Sequence, residues 1–157
     1  MSFHANHGKR IELKNNGKTA QRNINEFNHG IVMSKHPLID NIKFEVRIDV
    51  KIHSWSGSIE IGVRKNFTAK IFHELIDFSL YSFKVTTSNP DSTELPACAS
   101  KLKNGTWIMS GISVLKDGQS LLEYYGNDLD KLNEGDRVGV MRSNKGELIF
   151  YINGESQ

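Results

Sequence analysis

The chain has 157 residues, one domain's worth of sequence and enough to bury a core if most of it folds. Its 20 lysines and arginines nearly balance 18 aspartates and glutamates, and the formal charge of +2 is spread without a basic run or stripe, so nucleic acid is not an expected partner. A single cysteine, Cys98, excludes an internal disulfide and a multi-cysteine zinc site and fits a reducing compartment.

The N-terminal stretch MSFHANHGKRIELK lacks the unbroken apolar core of a signal peptide, and no segment approaches a membrane span in length. The expected location is the cytoplasm or nucleus, where the sequons Asn66-Phe67-Thr68 and Asn104-Gly105-Thr106 stay silent. IELK, TAQRN and GIVMS are short candidate strands. KFEVRIDVKI (43–52) puts Phe44, Val46, Ile48, Val50 and Ile52 on one face and Glu45, Arg47, Asp49 and Lys51 on the other, the period-two pattern of a half-buried strand. WSG is read as a short turn, and SIEIGV (58–63) follows with Ile59, Ile61 and Val63 inward.

The segment 64–84, RKNFTAKIFHELIDFSLYSFK, breaks this grammar. Its apolar residues recur neither by two nor cleanly by helical turns, and a short helix over about 70–80 is the expectation, with Ile71, Leu75 and Phe78 on one side. Beyond it, WIMSGISVLKDGQSLLEYYG reads as two strands joined at Asp117-Gly118, a turn-forming dipeptide. DRVGVMR and ELIFYIN pair across SNKG, where Gly146 takes a left-handed position. Asn153-Gly154 is a further hairpin signal, followed only by Glu155, Ser156 and Gln157. Many short strands at near-regular spacing predict an all-β fold, an antiparallel β-sandwich of jelly-roll type.

Catalytic arrangements are scarce. SGSIEIG lacks the lysine and the strand-loop-helix setting of a phosphate loop, and Cys98 sits in ELPACASK without a local histidine to activate it. His4 and His7 have no companion at a supporting spacing for zinc, and the residues after Asp128 and Asp130 do not continue a calcium loop. No metal and no cofactor is expected, and the chain does not read as an enzyme. A carbohydrate-active or hydrolytic sandwich would need a convergent carboxylate pair, whereas the acidic residues fall on outward positions or turns. Trp107 reads as a core residue and Trp55, beside Ser56-Gly57, as easier to expose. Of Tyr124 and Tyr125 one ring belongs to the core and the other to a partner groove. Arg47 and Arg142 read as solvent-facing strand positions, and arginine is enriched at binding hot spots.

The order and wording of the strands resemble the Neuralized homology repeat. The matching pieces are FHANHGKRIEL, TAQR, FNHGIVMSKHPL, FEVRID, SWSGSIEIGV, NGTWIMSGISVLKDG, YGNDLDKLNEGDRVGVMR and GELIFYING, in family order and over nearly everything outside 64–85. Their style is closest to repeats of the Neuralized-like 4 kind. More distantly, Gly135, Asp136, Gly139, Val140, Gly146, Phe150, Asn153 and Gly154 echo the ending of SPRY-type sandwiches.

The resemblance implies a repeat spanning 2–157, interrupted by an atypical insertion at 64–85. Family members run from EIGV directly into TT.NP, so IGV (61–63) should join TTSNPDSTELPA (86–97), and 64–85 is read as a translated intron or gene-model error. Family members also continue past NG into a further strand; without it the expectation is an edge with unpaired backbone groups, weakened folding and a route to aggregation. The resemblance further implies a non-catalytic partner adaptor in ubiquitin-linked signalling. It would bind a short peptide or loop, such as a Notch-ligand-type tail or a ubiquitin-ligase component. Some relatives carry a RING domain, for which the cysteines are lacking here. The expected partner-binding residues are Trp55, Tyr124, Arg47 and Arg142. An alternative is peripheral contact with phosphoinositide membranes through Lys9, Arg10, Lys14, Lys18 and Arg22.

Overall fold

Two-residue turns set the register of the hairpins. Lys116 pairs with Gln119 across Asp117-Gly118 (φ 53° and 78°), and Ile152 with Glu155 across Asn153-Gly154 (φ 52° and 90°). Positive φ at both central residues matches the right-handed twist of the flanking strands, which is why Asp-Gly and Asn-Gly serve there. The computed structural model describes residues 1–23, 28–52, 59–65, 78–79, 95–103 and 105–157.

The strands in chain order begin with β1 (Ile11–Lys14), β2 (Thr19–Arg22), β3 (Phe44–Arg47), β4 (Ile61–Lys65) and β5 (Phe78–Ser79). They continue with β6 (Thr106–Ser110), β7 (Ser113–Lys116), β8 (Gln119–Glu123), β9 (Arg137–Arg142), β10 (Leu148–Ile152) and β11 (Glu155–Ser156). All pairings are antiparallel, in a β1-β2 hairpin, a four-stranded sheet β11-β10-β9-β3 and a five-stranded sheet β5-β4-β6-β7-β8. Among the described residues there is no α-helix, only one-turn 3-10 segments at Ala99–Lys101 and Leu129–Lys131.

Both sheets contribute to one apolar cluster. Phe44, Val138, Val140, Phe150 and Ile152 come from the four-stranded sheet, and Ile61, Val63, Ile108, Met109 and Val114 from the five-stranded one. Val63, Ile108, Met109, Val138 and Val140 are fully buried. Each such side chain contributes on the order of 1.5–3 kcal/mol relative to exposure, so the alternating pattern selects which face turns inward. Tyr125 packs edge-on against Phe150, with ring centroids 6.2 Å apart, and so ties the end of β8 to the opposite sheet. Phe3 does the same for the N-terminal segment, meeting Phe44 at 6.5 Å.

Four expectations change. β3 ends at Arg47, because its partner strand begins at Arg137; beyond it Val50 faces no strand among the described residues and is exposed rather than inward. The stretch 107–126 holds three strands instead of two, since Gly111 (φ 54°) and Ile112 make another tight turn, closed by Ser110 opposite Ser113. GIVMS forms a single bridge, Phe3 to Ser34, rather than a strand, although Ile31 and Met33 are buried. Most of the helix expected over about 70–80 lies outside the described residues, and at its far end Phe78–Ser79 are strand, paired with Arg64–Lys65. The WSG turn and Trp55 also lie outside the described residues.

Candidate functional site

The sequence-selected residues do not gather in one place. Arg47 closes β3 opposite Arg137, two like charges in direct register that would repel were each not offset by a carboxylate. Arg47 Nε meets Asp49 Oδ1 at 2.7 Å, and Arg137 Nη1 meets Glu45 Oε1 at 3.3 Å. Arg142 stands at the other end of β9, about 17 Å along the strand. It shares the face of Val138 and Val140 and is therefore not solvent-facing as its position suggested: only 13% of its side chain is exposed. Its guanidinium forks onto Asp40, with Nε donating to Oδ1 and Nη2 to Oδ2 (2.6 Å). That bond from Arg142 holds the Asp40 carboxyl below the usual carboxylate range. Asn41 N–H donates to the Arg142 carbonyl and Asn144 N–H to Asn41 Oδ1, so the pair anchors the 39–41 loop to the β9–β10 hairpin.

Tyr124 and Tyr125 divide as their alternation implied. Tyr125 is half-buried on Phe150, its hydroxyl donates to the Gln157 carbonyl at 2.9 Å, and burial pushes its pKa up. Tyr124 is 84% exposed, and its backbone takes a positive φ of 57°, uncommon for a bulky side chain.

Around Tyr124 the five-stranded sheet exposes apolar side chains. Every residue of β8 is exposed, including Leu121 and Leu122, and Ile112 on the adjoining turn is exposed as well. The Tyr125 N–H donates to the Ile112 carbonyl at 2.8 Å, which sets Tyr124 beside that turn. The Leu129 N–H donates to the Gly111 carbonyl at 3.1 Å, bringing the 128–131 segment to the same end. Acidic groups border it. Glu123 pairs with Ser113 in the ladder, Asp130 Oδ2 lies 3.7 Å from where a Cβ on Gly111 would stand, and Glu60 accepts the Ser110 hydroxyl at 2.7 Å. Asp128 caps the Asp130 N–H and lies 3.9 Å from the Lys131 ammonium. Lys51 reaches the carbonyls of Asp130 and Leu132.

Comparison with protein families matches Neuralized over residues 3–157. The chain belongs to the Neuralized family. Among solved structures it is similar to the crystal structure of the Drosophila melanogaster Neuralized NHR1 domain, with a TM-score of 0.63 at 20% identity. That alignment covers 99% of this chain and 78% of the Drosophila chain. Neuralized repeats are protein-interaction modules, and the unit matched is a non-catalytic one.

Within the Neuralized fold, the Gly-Asp and Asn-Gly pairs that carried the resemblance act as a clasp. Asp136 Oδ2 accepts the Asn133 N–H at 2.7 Å, Asp136 Oδ1 accepts the Asn153 amide at 3.0 Å, and Asn153 Oδ1 accepts the Arg137 N–H at 2.8 Å. The bonds from Asn133 and Asn153 depress the Asp136 pKa, and the three together lock the entry of β9 to the β10–β11 turn. Residues recognised by motif are thus structural in this fold. The exposed residues Ile112, Leu121, Leu122 and Glu123 were not singled out. The available signal was Leu121-Leu122 itself, adjacent leucines that break the period-two alternation where the β7–β8 register shifts.

Proposed function

We propose that this chain is a non-catalytic recognition module that captures a short peptide or loop of a partner protein, as an adaptor in ubiquitin-linked signalling in the cytoplasm. The observation that carries this reading is the exposed end of the five-stranded sheet. There, large apolar side chains stand in solvent near Tyr124, itself exposed and at an uncommon positive φ. Family membership supports the same class of role. A Notch-ligand-type tail or a component of a ubiquitin ligase is the kind of partner proposed. Tyr124 and Trp55 are the aromatic anchors of the proposal and Arg47 an exposed polar contact. Arg142 acts through Asp40 by holding the 39–41 loop. Selection of random peptides against the immobilised full chain tests this. Enrichment of a sequence family that competes in solution supports recognition, and no enrichment after repeated rounds removes it.

A second reading, contact with phosphoinositide membranes, is favoured by the hairpin β1–β2. It presents Lys14 and Lys18 on either side of its Asn15–Gly17 turn, with Lys9 and Arg10 also exposed nearby. Sedimentation with phosphoinositide vesicles, against neutral vesicles, separates it from peptide capture.

A further inference from the structure

We propose that the exposed end of the five-stranded sheet takes a peptide of one chemical kind: a short segment in which apolar side chains alternate with lysine or arginine. The inference rests on the recognition reading above and adds the character of the partner.

The apolar part of the surface is Ile112 and Tyr124, 37% and 84% exposed, set side by side by the turn at Gly111-Ile112 and the bond from the Tyr125 N–H to the Ile112 carbonyl; Leu122 pairs with Val114 and stands on the opposite face of β8 from Glu123. Exposed apolar surface of this kind gains by being covered, and a tyrosine with only two side-chain rotations to lose is an efficient anchor. The charge around it is unequal. Glu60, Glu123, Asp128 and Asp130 border the surface against Lys51 and Lys131. Lys51 directs its ammonium at backbone carbonyls, and Lys131 is 83% exposed beside Asp128. Among the described residues the surplus is acidic although the whole chain is slightly basic. An approaching cation therefore meets a locally attractive field, and an acidic segment meets repulsion that costs affinity and association rate. An uncharged apolar segment would cover the isoleucine and tyrosine but bring no counter-charge to the carboxylates, whose hydrogen-bond partners are mostly neutral donors.

The occupant is thus a basic and apolar peptide rather than a second copy of this chain. Two copies meeting at this end would oppose like carboxylates. The shifted β7–β8 register between Val114 and Leu115 also makes β8 a poor template for regular edge-to-edge pairing.

The test uses the full chain and a pair of labelled peptides of equal length, leucine alternating with lysine in one and with glutamate in the other, followed by fluorescence polarisation. The lysine peptide should bind at least about tenfold more tightly than its twin and weaken as salt rises. Tyr124→Gly, which suits the positive φ, and the charge reversals Glu123→Lys and Asp130→Lys should each weaken it by about tenfold, while Lys145→Ala on the exposed β9–β10 turn leaves it unchanged. Circular dichroism melts of the variants confirm that the fold persists. Equal binding of the two peptides, absence of binding, or indifference to Tyr124→Gly and both reversals overturns the inference. So does a dimer in sedimentation equilibrium that Ile112→Lys dissolves. If library selection yields neutral or acidic peptides insensitive to Tyr124, this inference falls while the recognition reading stands.

Discussion

The two ends of the sandwich put similar residues to opposite uses. In the four-stranded sheet the hairpin β9–β10 turns Val138, Val140, Phe150 and Ile152 inward, and even the charge on this face, Arg142, is bound by Asp40 and mostly covered. In the five-stranded sheet β6 is as deeply buried, with Ile108 and Met109 fully so, yet β8 two strands away leaves Leu121 and Leu122 in solvent. Both regions are strand-forming and apolar. What separates them is position: β9 has a partner on each side, whereas among the described residues β8 has one, β7. Apolar content alone therefore does not identify core, and leucines on a singly paired strand are better read as contact surface.

The two regions should differ most at Phe150. Its replacement by alanine should cost about 3–5 kcal/mol, because it removes a buried ring and the edge-on contact with Tyr125. Leu122→Ala on β8 should cost less than about 1 kcal/mol, since the side chain is already half in water. Urea denaturation of both variants gives the two values, and equal losses would erase the distinction between the regions.

A next-largest effect is expected at Gly62, which faces Ile108 across the β4–β6 pair. A methyl group there would overlap the Trp107 carbonyl oxygen and crowd the Ile108 backbone, so Gly62→Ala should destabilise by about 1–3 kcal/mol. The same denaturation measurement reads it, and a neutral result would show that the two strands can separate locally without loss.

Asp40 makes the covered end of the four-stranded sheet sensitive to pH. Hydrogen bonding from Arg142 holds its folded pKa below the ordinary value, so its contribution is complete above the unfolded pKa, near about 3.9, and is lost as pH falls through the lower folded value. Asp40→Asn should lower the melting temperature at neutral pH and flatten the fall in stability below about pH 4. Part of the acid limb should remain, because Asp136 and Glu45 are depressed as well. Thermal melts across that range, wild type against variant, check the sign. The smallest effect is expected at Tyr124, whose replacement by alanine should alter stability by no more than about 0.5 kcal/mol while impairing peptide capture. A large loss of stability there would place the ring in the fold rather than on the interface.

Much of the architecture was legible residue by residue. Phe44-Glu45-Val46-Arg47 and Arg137 to Arg142 alternate as half-buried strands do, and the dipeptides Asp117-Gly118 and Asn153-Gly154 marked two of the three two-residue turns among the described residues. The turn at Gly111-Ile112 was missed, because a lone glycine inside a strand pattern resembles an irregularity until Ser110 is seen opposite Ser113. For the site, one tyrosine of two was correctly expected outside, but Arg142 was placed in solvent when its alternation with Val138 and Val140 puts it on the inner face.

Strand identity, turn chemistry and the family itself were decided by the sequence, because they depend on local alternation, on the φ each residue tolerates and on the order of short motifs. Tertiary structure alone decided that Val50 and Leu122 stand exposed while Val140 is sealed, that Arg142 is spent on Asp40, and that Tyr124, Ile112 and four carboxylates meet at one end. Exposure and local field are sums over neighbours distant in the chain, and a linear pattern does not contain those neighbours.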